Sequence, residues 1–337
     1  MQHKSHLPKI VCIGGGTGTF VALKGLKEHP VDLTAIVTMA DSGGSNKRIR
    51  DEFGLLPTSD IRQCFVALAD ENGGMGLMRK LFMYRFHKGK GIAGMTFGNL
   101  FIAALADILG SQADAIRQTH KVLRIKGKVI PVSYTDTNLT ARYENGHVAH
   151  EEHLIDEPEH DGMLKIEEVF LTPKASPTPE AIEAIRHADL IVLGPGDLYT
   201  SLIPNLLVEN ISEALSHTNA TIVFVLNLMT KYGQTYQYTA VDHMQALEKY
   251  INKSIDVVLV NTAPIPKRAL HVYAKSHEVP VVDNLVEQKP YSLFRTDLVG
   301  NALLTKSKSD ALVRSLIRHD SVKLANALIT ILSGRQI

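Results

Sequence analysis

The sequence predicts an α/β fold built on a mostly parallel sheet. Three observations lead to it. Short apolar runs alternate with helical patterns along most of the chain, five of those runs end in glycine- or asparagine-containing turns, and no solenoid-length repeat interrupts the alternation. With 337 residues and 45% hydrophobic content, the chain can bury one large core. Residues 1–337 therefore read as a single domain, with residues 128–170 as a β-rich insertion within it.

Residues 9–13 form a first apolar strand that runs into Gly14-Gly15-Gly16-Thr17-Gly18. Phe20, Leu23 and Leu26 then share one helical face, which ends near His29-Pro30. A second strand, 33–38, leads to Asp41-Ser42-Gly43-Gly44-Ser45. Thr58 or Ser59 caps a helix carrying Ile61, Phe65, Val66 and Leu68. Further helices are expected at 77–86, 98–109 and 114–123. The stretch 128–169 changes character, with alternating residues and turn signals at Asn145-Gly146 and Asp161-Gly162. A proline-rich linker, 172–179, closes it. The alternation then resumes: helix 179–187, strand 190–193, helix 202–216, strand 221–226, helix 241–251, strand 256–260, helix 266–274 and a short strand 279–282. Ser321 opens a last amphipathic helix with Leu324, Leu328, Ile331 and Leu332 on one side, and Gly334 stops it.

Composition narrows the function. Lys and Arg number 36 against 35 Asp and Glu, a net charge of +1, so no polyanion-binding surface is expected and nucleic acid is excluded as a partner. The most apolar stretch, 97–109, carries Asn99 and Asp107 and is too short to span a membrane. Residues 1–8 lack the apolar core of a signal peptide. Cys12 and Cys64 sit in apolar runs and read as buried free thiols. These features together point to the cytoplasm.

In a parallel sheet the glycine-rich turns all lie at carboxyl ends and open into one crevice. Glycines let backbone N–H groups approach a ligand, and each following helix presents a positive end suited to phosphate. The turns in question are Gly14 to Gly18, Asp41 to Ser45, and Gly194-Pro195-Gly196-Asp197, with Asn227 and Thr230 after a further strand and Asn261-Thr262 after another. The first is not a Walker loop, since no Gly-Lys-Ser/Thr follows, and it is an imperfect dinucleotide fingerprint. Asp41 fits a ribose hydroxyl, a cation or a cap on Gly43-Gly44. Lys47, Arg48 and Arg50 fit phosphate neutralisation or a solvated helix face. Asp60 and Arg62, at the head of an apolar helix, fit an ion pair or ligand contact. His147, His150 and His153 would alternate on a strand rather than converge, so no metal site is expected there. No nucleophile elbow is present.

Several further motifs join these: Leu56-Pro57-Thr58-Ser59-Asp60-Ile61-Arg62, Phe97-Gly98-Asn99-Leu100, Leu193-Gly194-Pro195-Gly196-Asp197-Leu198-Tyr199-Thr200-Ser201, Asn227-Leu228-Met229-Thr230 and Ile317-Arg318-His319-Asp320-Ser321. As an ordered set spanning nearly the whole chain, they resemble the YvcK family, the gluconeogenesis factors. That family shares a superfamily with the 2-phospho-L-lactate transferase of deazaflavin cofactor biosynthesis. The resemblance implies a Rossmann-like three-layer fold. It also implies binding of a UDP-sugar, notably UDP-N-acetylglucosamine, with no required cofactor. The implied role is regulatory, linking carbon metabolism to cell-wall precursor supply and cell shape, with a protein partner in that metabolism and room for a homo-oligomer.

In that reading the backbone of Gly14, Gly15, Gly16, Thr17, Gly18, Gly43, Gly44, Ser45, Gly194 and Gly196 holds the pyrophosphate. Arg62, Gly98, Asn99 and Thr230 line the site, Asp41 or Asn227 takes sugar hydroxyls, and Tyr273 and Arg318 match the family's uridine contacts. The chain departs from the family pattern in two loops. Asp-Asp-Gly-Gly-Ser-Ser-Gly becomes Asp41-Ser42-Gly43-Gly44-Ser45-Asn46-Lys47, and Met-Thr-Gln-Pro-Gly-Glu-Thr becomes Met229-Thr230-Lys231-Tyr232-Gly233-Gln234-Thr235. Two carboxylates that would suit a hard cation are thus lost, which weakens an enzymatic reading more than a binding one. The alternative is a transferase moving a phosphate-bearing group from a nucleotide-activated donor, with Asp41 and Asp60 as cation or base candidates and Mg2+ as its ion. A nicotinamide oxidoreductase rests on the first glycine-rich turn alone and ranks third.

Overall fold

The computed structural model describes residues 7–43, 45–70, 75–287, 290–300 and 317–334. Among these, strands β1 (Lys9–Gly14), β2 (Asp32–Val37), β3 (Lys128–Pro131), β4 (Asn138–Tyr143), β5 (Val148–His150), β6 (Ile166–Thr172), β7 (Leu190–Leu193), β8 (Thr221–Val225), β9 (Val257–Asn261) and β10 (Ser292–Thr296) build two sheets. The main sheet has seven strands in the order β10-β9-β8-β7-β1-β2-β3. Every pairing in it is parallel. The chain therefore winds outward from β1 through β2 to β3, returns to the other side of β1, and winds outward again. The reversal falls between β1 and β7, where doubly wound sheets bind their ligands.

Side chains alternate across this sheet, and each face has its own core. Ile10, Cys12, Ala35, Val37, Val192 and Val225 point into one layer with the helices Gly16–Leu26, Ser59–Leu68, Phe97–Leu109 and Ser321–Leu332. Val11, Ile13, Ile36, Ile191, Leu193 and Phe224 point into the other. That second layer also takes Leu139, Ala141, Tyr143 and Leu171 of the antiparallel sheet β5-β4-β6. β1, β2, β7, β8 and β9 are buried on both faces, which explains why they read as continuous apolar runs. Cys12 and Cys64 are buried free thiols, and burial pushes Cys12 up to about 12. No helix among the described residues is long and apolar enough to cross a membrane.

Four elements differ from the sequence reading. Residues 128–131 are not part of the β-rich segment: β3 pairs with β2 as the edge of the main sheet, so the antiparallel sheet begins at Asn138. The expected strand at 279–282 is only an isolated bridge between Met229 and Pro280, because proline has no N–H to extend a ladder. The last strand of the main sheet is instead β10, a half-exposed edge strand whose mixed residues, Ser-Leu-Phe-Arg-Thr, hide it from an apolar-run search. The single helix expected at 202–216 is a π-helical turn, Leu198–Leu202, followed by Ile203–Leu206 and Ile211–His217, with Asn210 left-handed between the last two. Lys47, Arg48 and Arg50 lie on a helix, Ser45–Phe53, as their helix-face reading expects.

Helix Ser321–Leu332 lies against helix Gly16–Leu26 at Gly25. A Cβ there would stand 1.9 Å from the Ser321 carbonyl oxygen and 2.8 Å from Ala325 Cβ. Gly25→Ala is expected to lose about 1–3 kcal/mol through overpacking, despite alanine's better helix propensity. A fall in the urea midpoint at unchanged slope would show it.

Candidate functional site

The two glycine-rich turns that flank the reversal touch through their backbones. A Cβ on Gly18, in the first turn of helix Gly16–Leu26, would stand 2.0 Å from the Pro195 carbonyl oxygen. Gly16 has φ +61, a conformation that favours glycine, and the helix starts there with no side-chain cap. Its first N–H groups therefore face the rim. A Cβ on Gly15 would meet Asp60 Oδ2 at 2.3 Å, and one on Gly196 would meet Ser201 Cβ at 3.3 Å. The Asn227 amide nitrogen donates to the Gly196 carbonyl at 2.9 Å, tying the end of β8 to the same loop. The turns beginning at Gly14, Asp41 and Gly194 thus share one rim, at the carboxyl edge of the sheet.

Around Asp41 the polar groups form a series. Gly43 N–H donates to Asp41 Oδ1 at 2.8 Å, and the Asn46 amide nitrogen donates to Asp41 Oδ2. Asn46 Oδ1 accepts from Ser59 Oγ at 2.8 Å, Asn99 Nδ2 donates to Ser59 Oγ at 3.2 Å, and Arg62 Nε donates to Asn99 Oδ1 at 3.0 Å. Arg62, Asn99 and Asn46 are all buried. A Cβ on Gly98 would strike Arg62 Cδ and the Phe82 carbonyl, so this glycine makes room for the guanidinium.

The antiparallel sheet supplies more of the rim. Its short helix, Glu152–Asp156, docks on the loop after β2: His153 N–H donates to Ser42 Oγ at 3.1 Å, and the His153 ring contacts the same hydroxyl. Burial raises Glu152 well above the usual carboxylate range, and Asp41, Asp156 and Asp60 push in the same direction. Burial raises Asp41 too, against the donors from Gly43, Glu152 and Asn46. Lys231 lies 3.1 Å from Asp156 and 3.9 Å from Asp197. Burial opposes its charge, yet these two carboxylates hold its ammonium above the ordinary lysine range. Among the described residues, no group of three or more His, Cys, Asp or Glu side chains is arranged to hold a metal ion.

On the other flank Tyr273, on helix Lys267–Ala274, accepts from Ile317 N–H through its hydroxyl at 3.2 Å. The residue it holds precedes Arg318, whose carbonyl accepts from Gly300 N–H at 3.1 Å. His319 is buried with its ring against the Leu226 carbonyl, and burial lowers it to about 4. Asp320 caps helix Ser321–Leu332 by accepting from Val322 and Lys323 N–H at 2.9 and 3.0 Å. Arg318 thereby stands beside the ends of β8 and β10, along the rim from Asn227.

Residues 10–299 match the family described as 2-phospho-L-lactate transferase CofD. The chain belongs to the CofD family. It is 42% identical over 327 residues to the gluconeogenesis factor of Bacillus subtilis, covering 96% of this chain and 98% of that protein. It is 38% identical over 322 residues to the gluconeogenesis factor of Halalkalibacterium halodurans, covering 95% of each. An X-ray crystal structure of a Bacillus halodurans protein superposes with a TM-score of 0.84 at 37% identity, covering 96% of this chain and 99% of that one.

In this CofD-family chain the sequence-derived site residues fall into three groups. Gly14 to Gly18, Asp41, Gly43, Asp60, Gly194, Gly196 and Asn227 gather at the rim. Arg62, Gly98 and Asn99 lie behind it as a buried support, and Thr230 braces the 279 segment by accepting from Val279 N–H at 3.0 Å. Tyr273 and Arg318 form the far flank. Gly44 lies outside the described residues, and of Ser45 only its place at the start of helix Ser45–Phe53 is described. Arg48 and Arg50 serve packing, the first on the Gly91 and Ala93 carbonyls and the second on Asp136, Asn138 and the Thr137 carbonyl. His147 instead lies against His160, with ring centroids 4.9 Å apart. Residues missed from the sequence are Asn46 as a link, Ser59, Glu152, and the Asp156–Lys231–Asp197 bridge.

His319 makes the fold pH-sensitive. Its folded value, about 4, lies below the ordinary 6.5, so the unfolded chain takes up the proton first. Its contribution is complete above about pH 6.5 and is lost as pH falls toward 4, to about 3 kcal/mol. Between pH 7 and pH 4 the unsubstituted protein should therefore lose about 3 kcal/mol more stability than His319→Gln loses, and unfolding curves of both at the two pH values would show it.

Proposed function

We propose that this protein is a cytosolic regulator that binds a UDP-sugar, with UDP-N-acetylglucosamine as the ligand, and links carbon metabolism to cell-wall precursor supply and cell shape. The observation that carries the reading is the contact of Gly18 with the Pro195 carbonyl. It brings two amide-rich turns together at the reversal point of a parallel sheet, where a pyrophosphate would meet several N–H donors at once. Asp41 and Asn227 then stand to the two sides for sugar hydroxyls, and the segment holding Tyr273 and Arg318 stands ready for the uridine end. The name of the Bacillus subtilis relative, gluconeogenesis factor, supports the metabolic role. Regulation requires ligand affinity to differ between two conformations. The helix Glu152–Asp156, docked on the Asp41 loop, is the element through which occupancy would reach a protein partner.

The family description favours a second reading, a transferase of the 2-phospho-L-lactate type. In it Asp41 and Asp60 would hold Mg2+ or take a proton, and catalysis would consist of positioning and charge stabilisation.

Calorimetry separates the two. UDP-N-acetylglucosamine, UDP-glucose, GDP and NAD are titrated into the protein with and without Mg2+. The regulator reading predicts micromolar binding of the UDP-sugar, indifferent to Mg2+ and lost in Arg318→Ala. Tight GDP binding that depends on Mg2+ would move the assignment to the transferase.

A further inference from the structure

The loop after β8 brings two nitrogen donors onto one oxygen. Lys231 Nζ lies 3.1 Å from Asp156 Oδ1, and Gln234 Nε2 donates to the same atom at 3.0 Å. A tight turn fixes both residues. Lys231 N–H donates to Thr235 Oγ1 at 2.9 Å, and Thr235 N–H donates to the Lys231 carbonyl at 2.8 Å. Gln234 is buried, and its Nε2 also reaches Thr200 Oγ1 at 3.4 Å. A carboxylate only accepts, so the amide nitrogen has to face Asp156. Gln234 Oε1 is left buried with no hydrogen-bond partner.

Lys231 keeps donors to spare. An ammonium carries three N–H groups, and Asp156 Oδ1 can occupy one of them. Asp197, at 3.9 Å, is near enough for attraction but beyond hydrogen-bond length. The lysine side chain is 27% exposed, so a ligand can reach it. Its ammonium stands beside the Gly194 to Asp197 turn, to which the reading above assigns the pyrophosphate. That rim is otherwise acidic. Burial raises Asp41, Glu152 and Asp197, and the charge of Asp156 pushes each of them further. An anionic ligand placed among these carboxyls needs a positive charge close by.

The departures of this loop from the family pattern fall on the same two residues. Gln becomes Lys231 and Glu becomes Gln234, a gain of one positive charge at each. Together they equal the charge of one divalent cation. A hard cation needs oxygen ligands, whereas here two nitrogen donors face the Asp156 oxygen, so this corner does not fit Mg2+. We propose that Lys231, anchored by Asp156 beside Gln234, is the resident counter-cation for the ligand's pyrophosphate and makes binding independent of a metal ion. The inference rests on the UDP-sugar reading and names the charge that its pyrophosphate meets.

Calorimetry of the full chain with UDP-N-acetylglucosamine, with and without Mg2+, tests it. Lys231→Gln should bind about tenfold more weakly without Mg2+ and regain that factor with it, since Asp156 and Asp197 are then open to the ion. Unchanged affinity in Lys231→Gln overturns the inference, as does Mg2+ dependence of the unsubstituted protein. A loss that Mg2+ does not restore also overturns it, because it reduces the lysine to a structural brace. A second arm needs no nucleotide. Mn2+ titrated into the protein and followed by electron paramagnetic resonance should stay free with the unsubstituted chain and bind to Lys231→Gln/Gln234→Glu, which puts a carboxylate in place of the unpartnered Oε1. Equal behaviour of the two proteins overturns the inference. If the unsubstituted protein bound no UDP-sugar at any Mg2+ concentration, the UDP-sugar reading would fall instead, and the Mn2+ comparison would still judge the exchange of metal for lysine.

Discussion

Two backbone loops meet at the centre of this molecule with no side chain between them. The approach of Gly18 to the Pro195 carbonyl leaves no space for a methyl group, and it occurs where the winding of the sheet changes direction. The rest of the site is placed relative to that contact. Asp60 stands over Gly15, Ser201 stands over Gly196, and Asn227 is tied to the same loop through the Gly196 carbonyl. A larger residue at position 18 would separate the turn after β1 from the turn after β7, and the two sets of N–H groups would no longer face one ligand.

Behind that contact the protein keeps a polar interior. Arg62, Asn99 and Asn46 lie among apolar helices, where an unpaired donor would be costly. Each is satisfied by a neighbour from another element, so the three helices Ser45–Phe53, Ser59–Leu68 and Phe97–Leu109 are held in register by side chains as well as by packing. Networks of this kind are sensitive to the loss of any member, which leaves its partner buried and unsatisfied. Lys231 has the corresponding function on the opposite flank, where it joins the antiparallel sheet at Asp156 to the loop after β7 at Asp197.

Much of this architecture is legible in the sequence, and the gaps have physical causes. β1, β2, β7, β8 and β9 are buried on both faces, so continuous apolar runs announce them, and the following glycines mark their carboxyl ends. β3 and β10 are edge strands with polar or half-exposed residues, and they carry no such signal. Asp41 and Asp60 are visible because they sit beside recognisable turns. Glu152 is not, since 111 positions separate Ser42 from His153 and only the fold brings that short helix onto the loop. Arg62 and Asn99 are legible as unusual polar residues in apolar helices, but their direction, inward to each other, depends on how helices Ser59–Leu68 and Phe97–Leu109 pack.

Helix Ser321–Leu332 covers the same layer as helix Gly16–Leu26, setting Ser321 and Ala325 against Gly25 from the other end of the described chain. During synthesis the first βα unit therefore stays open on that side until residue 332 has emerged. The Gly25 side of the first helix is thus closed by a segment made long after it, which places this contact among the late steps of assembly.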